Sequence, residues 1–233
     1  MSLDYIGSEL ELFARAANWK AYVARHLSPF IRGRVLEVGA GIGSNIAQLT
    51  NGAVQDWLAV EPDQRLAGEI SQSVDRGTLP ANCRVLAGTI DSVPMQDRFE
   101  SVLYIDVLEH IEDDRAEVAK AVARLAPGGH LIVLVPAHQF LYSPFDRSIG
   151  HFRRYALADL KRLTPSGCRI AKAFMLDSVG LFASLANRFI LRSPMPTPAQ
   201  IAAWDRVMVP VSRLLDPMTG HRLGKSAIVI WQK

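Results

Sequence analysis

Residues 34–43 read Arg-Val-Leu-Glu-Val-Gly-Ala-Gly-Ile-Gly. A short apolar run (Val35, Leu36, Val38) ends in three glycines at alternate positions, Gly39, Gly41 and Gly43. Ser44-Asn45-Ile46 then opens a helical pattern. A buried strand that runs through a glycine turn into a helix makes a nucleotide cradle. The glycines let backbone approach a ligand, and unpaired N–H groups at the helix start face it. Two cofactor classes use such a turn. The dinucleotide fingerprint G-x-G-x-x-G needs a third glycine where this chain has Ser44. Glu37 precedes the turn, and a second acid, Glu61, follows Gly39 by 22 residues at the end of the run Trp57-Leu58-Ala59-Val60. A carboxylate there can accept both ribose hydroxyls, which supports an adenosine ligand without separating the two classes.

Length and composition bound the remainder. The 233 residues fit one large domain, and 49% hydrophobic residues suffice for a sizeable core. A formal charge of +3 without blocks of like charge gives no bulk attraction to nucleic acid, so no nucleic-acid partner is expected. Cys83 and Cys168 form no CxxC pair, which argues against structural zinc and for reduced thiols in a cytoplasmic protein. No apolar run approaches the ~18 residues of a membrane span.

Further along, residues 9–28 have a helical period (Leu10, Phe13, Ala17, Tyr22, Val23, Leu27) ended by Pro29 and Gly33. A helix is expected over Asp63–Val74, strands over Cys83–Ala87 and Phe99–Ile105, and a helix over 112–125 stopped by Pro127-Gly128-Gly129. Leu131–Val135 is wholly apolar, as a central parallel strand buried on both faces would be. Alternating strands and helices imply a doubly wound α/β sheet whose strand ends share one ligand-binding edge. Glu37, Glu61, Thr89, Asp106 and Pro136 fall at or just beyond those ends. Two late strands, 167–174 and 226–231, enclose a helical insertion over 177–222. Its apolar positions include Val179, Phe182, Phe189 and Ile190, then Trp204, Val207, Val211 and Leu214, with Pro194, Pro196 and Pro198 between the two groups.

These motifs together resemble class I S-adenosylmethionine-dependent methyltransferases. Val35–Gly43 is similar to the family's first motif, Ala59–Asp63 to its acidic loop, and Leu86–Asp91 to its adenine-contact segment. Phe99–Ile111 and Leu125–Leu131 are similar to its fourth-strand motif and its turn into strand five. The resemblance implies a single domain over 1–233, with an N-terminal helical segment over 1–33. It implies a seven-stranded, mostly parallel sheet of order 3-2-1-4-5-7-6, last strand antiparallel, with helices on both faces. It implies S-adenosylmethionine as cofactor, with S-adenosylhomocysteine as product, bound by Glu37, Gly39, Ala40, Gly41, Asn45, Glu61, Pro62, Thr89, Ile90 and Asp106. Thr89 stands where the family often has Asp. Phe140–Leu160 and Asn18-Trp19-Lys20 resemble a bacterial group associated with cell-surface polysaccharide or lipid-linked sugar metabolism.

An oxygen or nitrogen acceptor needs a base and a binding surface. His151, Asp146 and His110 are the candidates for catalysis. Arg147, Arg153, Arg154, Tyr155 and His138 are the candidates for holding the acceptor, the arginines through an anionic group. Glu109-His110 resembles a pair in ubiquinone-pathway O-methyltransferases, where Asp106, Glu109 and His110 would match a metal cluster; the expectation here is no metal. The expected acceptor is a small or lipid-linked molecule. A peripheral membrane contact through the apolar late helices is a further expectation, as is a monomer or homodimer. An NAD(P)-dependent reductase and a non-catalytic donor-binding protein stay open as alternatives.

Overall fold

The computed structural model describes residues 9–186 and 197–233. Seven strands form one sheet: β1 (Gly33–Val38), β2 (Val54–Glu61), β3 (Cys83–Ala87), β4 (Phe99–Ile105), β5 (Leu125–Pro136), β6 (Arg169–Leu176) and β7 (Ser226–Gln232). Their order is β3-β2-β1-β4-β5-β7-β6. β7 runs antiparallel to both β5 and β6, and the pairs among β1–β5 are parallel. The helices are α1 (Glu9–Ala14), α2 (Ala17–Leu27), α3 (Ile46–Leu49), α4 (Gln64–Asp75), α5 (Asp114–Ala123), α6 (Pro144–Ser148), α7 (Leu157–Arg162), α8 (Ser178–Ala186), α9 (Pro198–Ala203) and α10 (Val209–Met218).

The central strands are apolar because both faces are covered. One core gathers Leu36, Val102, Leu131 and Trp231 against Val118 and Leu160 of α5 and α7. The other gathers Val35, Leu103, Ile132 and Ile230 against Tyr22 and Leu27 of α2 and Trp204 and Val209 of the insertion. Alternate residues of each strand serve opposite cores, as the two-residue side-chain period requires.

Four local features depart from the sequence reading. The N-terminal helix is broken at Arg15–Ala16 into α1 and α2. The helix after the glycine turn is a single turn, because Thr50 leaves helical backbone (ψ 126). Pro127-Gly128-Gly129 lies inside β5, where the register against β4 shifts between Phe99 and Ser101. The C-terminus holds it there: Gly128 N–H donates to Lys233 O at 2.9 Å, and Lys233 N–H to Gly129 O at 3.1 Å. A proline tolerates such an irregularity because it has no ladder N–H to lose.

The last departure is in the insertion. α9 and α10 join through a π turn at Trp204–Met208, in which Val209 N–H reaches Trp204 O. Pro210 follows at once; its missing N–H and its ring prevent ordinary helical bonding to the preceding turn. Within this insertion Phe189, Ile190, Pro194 and Pro196 lie outside the described residues. Three buried carboxylates tie it to the sheet and to α2: Asp177, Asp205 and Asp216. Asp216 accepts Tyr22 O–H at 2.9 Å and the N–H groups of Asp177 and Ser178 at 2.7 and 3.0 Å.

Candidate functional site

Gly39, Gly41 and Gly43 have φ of 71°, 58° and 74°, a left-handed path that disfavours side chains. At Gly39 space forbids one as well, since an added Cβ would lie 2.5 Å from Val107 Cγ2. Gly39 and Ala40 N–H groups donate to Val60 O at 2.8 and 3.1 Å, which folds the turn over the end of β2. Glu61 is held there: Gly41 N–H reaches one of its carboxylate oxygens at 2.7 Å and Asp63 N–H the other at 3.0 Å. Each oxygen keeps a second lone pair for a ligand hydroxyl. Burial raises its pKa against those two bonds.

Glu37, an expected donor contact, accepts two hydrogen bonds within the chain. It is buried beneath the turn, where Asn45 Nδ2 donates to one oxygen at 3.1 Å and Trp57 Nε1 to the other at 3.2 Å. Burial pushes its pKa up to about 7, and the two hydrogen bonds oppose the rise. It braces the glycine turn against β2, and Trp57 is its unforeseen partner.

A cleft of about 140 Å³ opens at the turn. Of the expected donor-binding residues, Gly39, Ala40, Gly41, Asn45 and Asp106 line it. Asp106 ends β4 with a φ of 54°. The cleft is also lined by Leu10, Phe13, Trp19 and Lys20 of α1 and α2, of which only Trp19 and Lys20 lay in a motif the sequence singled out. Pro62, Thr89 and Ile90 stand outside this lining. Thr89 accepts Asp91 N–H at 3.3 Å and starts a short 3₁₀ turn, and the Ile90 side chain is buried in the core.

The loop after β5 folds around Asp146. This buried carboxylate accepts Ser143 N–H and O–H at 2.9 and 2.8 Å, and Arg154 Nε–H and Nη2–H at 2.7 and 3.0 Å. His151 Nδ1 lies 2.9 Å from it. Burial alone would raise the Asp146 pKa, but the bonds from His151 and Arg154 hold it well below the usual carboxylate range. Asp146, an expected catalytic residue, thus sits against His151 Nδ1 as a hydrogen-bonded anion.

His151 Nε2 lies 3.8 Å from Glu109 Oε1, and its ring meets His110 edge to face at 4.6 Å between centroids. Both Glu109 oxygens are buried without a hydrogen-bond partner. Burial, and then the Asp106 charge, push the Glu109 pKa well above its ordinary value. Burial and the neighbouring His151 lower that of His110 to about 4. Glu109, His110 and His151 each offer a ligand atom within 4.8 Å of the others. The cluster therefore has His151 where the resemblance implied Asp106. One carboxylate and two imidazoles suit a borderline divalent metal, and the orphaned Glu109 oxygens fit such an ion.

The expected acceptor-binding residues separate. Arg153 Nη1 donates to Asp114 at 2.8 Å and its Nη2 to Glu112 O at 2.7 Å. Tyr155 O–H also donates to Asp114, at 2.9 Å, from a buried position. These bonds tie the loop to Glu112 and to Asp114 at the start of α5. Arg147 is exposed. His138, with a φ of 66°, is tied through Nε2 to Gly224 O at 3.0 Å, linking β5 to the entry of β7.

A family model described as a methyltransferase domain matches residues 11–165, two thirds of the chain. The ubiquinone biosynthesis O-methyltransferase of Rhodopseudomonas palustris is 26% identical over 110 residues, covering 47% of this chain and 42% of that protein. Ajmaline N-methyltransferase of Rauvolfia serpentina is 26% identical over 186 residues, covering 78% and 58%. The chain thus spans about half the length of the curated relatives it matches. Among solved structures, the N-methyltransferase NodS of Bradyrhizobium japonicum, in complex with S-adenosylhomocysteine, superposes with a TM-score of 0.59 at 14% identity, covering 94% of this chain and 86% of that one. The glycine turn with its bound acid, the strand order that closes on an antiparallel β7, and the matching family model converge: this chain belongs to the methyltransferase domain family.

Proposed function

We propose that this protein transfers a methyl group from S-adenosylmethionine to an oxygen or nitrogen of a small or lipid- or sugar-linked acceptor. The observation that carries the reading is the hydrogen bond from Gly41 in the glycine turn to Glu61 at the end of β2, beside a cleft floored by Asp106. The residues fit the donor. Glu61 has lone pairs for ribose hydroxyls, and a side chain at Gly41 would fill the space beneath Leu10, which is 3.6 Å from its added Cβ. The donor, when bound, supplies an electrophilic methyl on a cationic sulfur. Positive charge disappears during transfer, so carboxylates that stabilise the sulfonium strongly would slow the step. A Glu37 shared between Asn45 and Trp57 suits that requirement. The chain's main tasks are then alignment and proton removal. His151 takes the proton, with Asp146 fixing its ring as an anionic orienting partner, in the logic of a His-carboxylate pair. Calorimetric titration tests the reading: S-adenosylhomocysteine binds and NADH does not. Failure of S-adenosylhomocysteine to bind overturns it.

The lipid-linked acceptor is supported by the outer face of the insertion. Val207, Val211, Leu214, Leu215 and Met218 form an exposed apolar stripe, with Met218 81% and Leu214 73% accessible. Arg206, Arg213 and Arg222 are exposed beside it, while Asp205 and Asp216 point inward. Apolar residues flanked by cations complement an anionic bilayer surface. Among the described residues no helix is long and apolar enough to cross a membrane.

A further inference from the structure

Lys225 stands at the sheet's ligand-binding edge, one residue before β7, and no motif marked it. Its backbone N–H donates to Asp177 O at 3.0 Å, and its carbonyl accepts Ala137 N–H at 2.8 Å. Those bonds fix it between the ends of β5 and β6, across β5 from Asp106 at the end of β4. Among the described residues its ammonium has no hydrogen bond or ion pair; it lies 4.7 Å from the centroid of the Trp204 ring.

Two of the nearby carboxylates are already engaged, while Asp106 faces the same edge with no hydrogen bond to Lys225 or Arg154 among the described residues. Asp177 accepts Gly180 N–H at 2.9 Å and Ser212 O–H at 2.8 Å on one oxygen, and Trp204 Nε1–H at 2.7 Å on the other. Asp146 is held by Arg154, His151 and Ser143. Burial lowers the Lys225 pKa, and the charges acting on it are Asp177, Arg154, Asp106 and Asp146. Arg154, whose side chain is 10% accessible, keeps Nη1 buried with no hydrogen-bond partner. A buried donor left unmet costs about 1–3 kcal/mol, more when charged. An unpaired ammonium and an orphaned guanidinium N–H at one edge of a sheet call for an anion from outside the chain.

We propose that Lys225, with Nη1 of Arg154, forms an anion subsite that seats a phosphate or carboxylate carried by the acceptor. The proposal rests on the methyl-transfer reading. It moves anion recognition from Arg147 and Arg153 to a lysine beyond the loop, with the Trp204 ring as a flat wall beside it.

The test uses the full chain saturated with S-adenosylhomocysteine and titrated with glycerol 3-phosphate at constant ionic strength. Lys225→Gln should weaken binding about tenfold or more, the loss expected for one charged hydrogen bond, and Lys225→Arg should largely restore it. Unchanged S-adenosylhomocysteine affinity in the variants shows that the fold is kept. In the unaltered protein, glycerol 3-phosphate should slow reductive methylation of Lys225, read by mass spectrometry, so the outcome does not depend on a variant folding. Phosphatidate vesicles form a parallel arm: protection by vesicles alone assigns the anion to a lipid headgroup, protection by glycerol 3-phosphate to a free phosphate ester. Equal affinities in all three proteins with no protection in either arm overturn the subsite. Absence of S-adenosylhomocysteine binding in the unaltered protein overturns the underlying reading instead.

Discussion

Asp205 accepts the backbone N–H of Trp19 at 2.8 Å across 186 residues of sequence. The same carboxylate takes Asn18 N–H at 3.3 Å and Asn18 Nδ2–H at 3.2 Å. Helix α2 has no cap of its own, since Ala16 stands at the N-cap. The late insertion supplies one in trans and thereby fixes the helix that walls the cleft. Trp204, next to Asp205, completes the joint, with ring centroids 5.6 Å from Trp19 and 6.0 Å from Phe13.

Asp205→Ala should cost about 1–3 kcal/mol, the loss of a cap plus N–H groups left unmet. Because Phe13 and Trp19 line the cleft, the affinity for S-adenosylhomocysteine should fall with stability. Urea unfolding and calorimetry on the same variant check both. Wild-type affinity alongside lost stability would show that the cap does not reach the cleft.

Gly39→Ala should abolish donor binding with the overall fold kept. The left-handed φ costs a non-glycine residue about 1–2 kcal/mol, and the methyl must also displace Val107. The double variant Gly39→Ala/Val107→Ala removes the clash and should recover part of the affinity. No recovery would place the whole effect in backbone strain.

Glu37 makes stability fall as pH rises. Its folded pKa of about 7 exceeds the ordinary 4.5, so the folded state binds the proton more tightly than the unfolded chain. That contribution is complete below about pH 4.5 and is lost as pH climbs through 7. It amounts to at most roughly 3 kcal/mol. Buried Glu109 acts in the same direction. Glu37→Gln should flatten the decline between pH 5 and pH 8 in denaturant titrations; an unchanged slope would mean that Glu37 ionises as it does in the unfolded chain.

Turnover should fall by about 10²–10⁴ in His151→Ala, with donor binding kept. Asp146→Asn should lose both activity and stability, because Arg154 would face a neutral amide. Arg147→Ala should stay near wild type. Chelator separates proton transfer from metal chemistry at Glu109, His110 and His151: unchanged rates support the proton role, whereas loss restored by added zinc or magnesium assigns the cluster to a metal.

Anionic vesicles should capture the protein in flotation, and Leu214→Glu/Met218→Glu should release it without changing S-adenosylhomocysteine affinity. If the wild-type protein does not float, light scattering decides whether a second copy covers the stripe.

Much of the donor half was legible because it depends on local rules. A glycine triplet after an apolar strand, and an acid one strand later, specify a turn and its neighbour whatever lies beyond. Cys83–Ala87 and Phe99–Ile105 appear where their apolar runs end. The long β5 was not legible, since Pro127-Gly128-Gly129 reads as a turn until the C-terminal Lys233 pairs with it.

The sequence by itself determined a doubly wound sheet and the glycine cradle, because side-chain period, turn chemistry and crossover handedness act over short range, and the family resemblance supplied the strand order. Only the tertiary structure decided what each charged residue does. Glu37, Asp146 and Arg153 have the residue types of an active site, and the fold hydrogen-bonds each within the chain, to Trp57, His151 and Asp114. Lys225 and Asp205 lie in an unremarkable tail, and long-range packing brings one to the ligand edge and the other to the helix that walls the cleft. Composition sets the charge a residue carries, but its role depends on which partners the fold brings within hydrogen-bond range, and those pairings join residues distant in sequence.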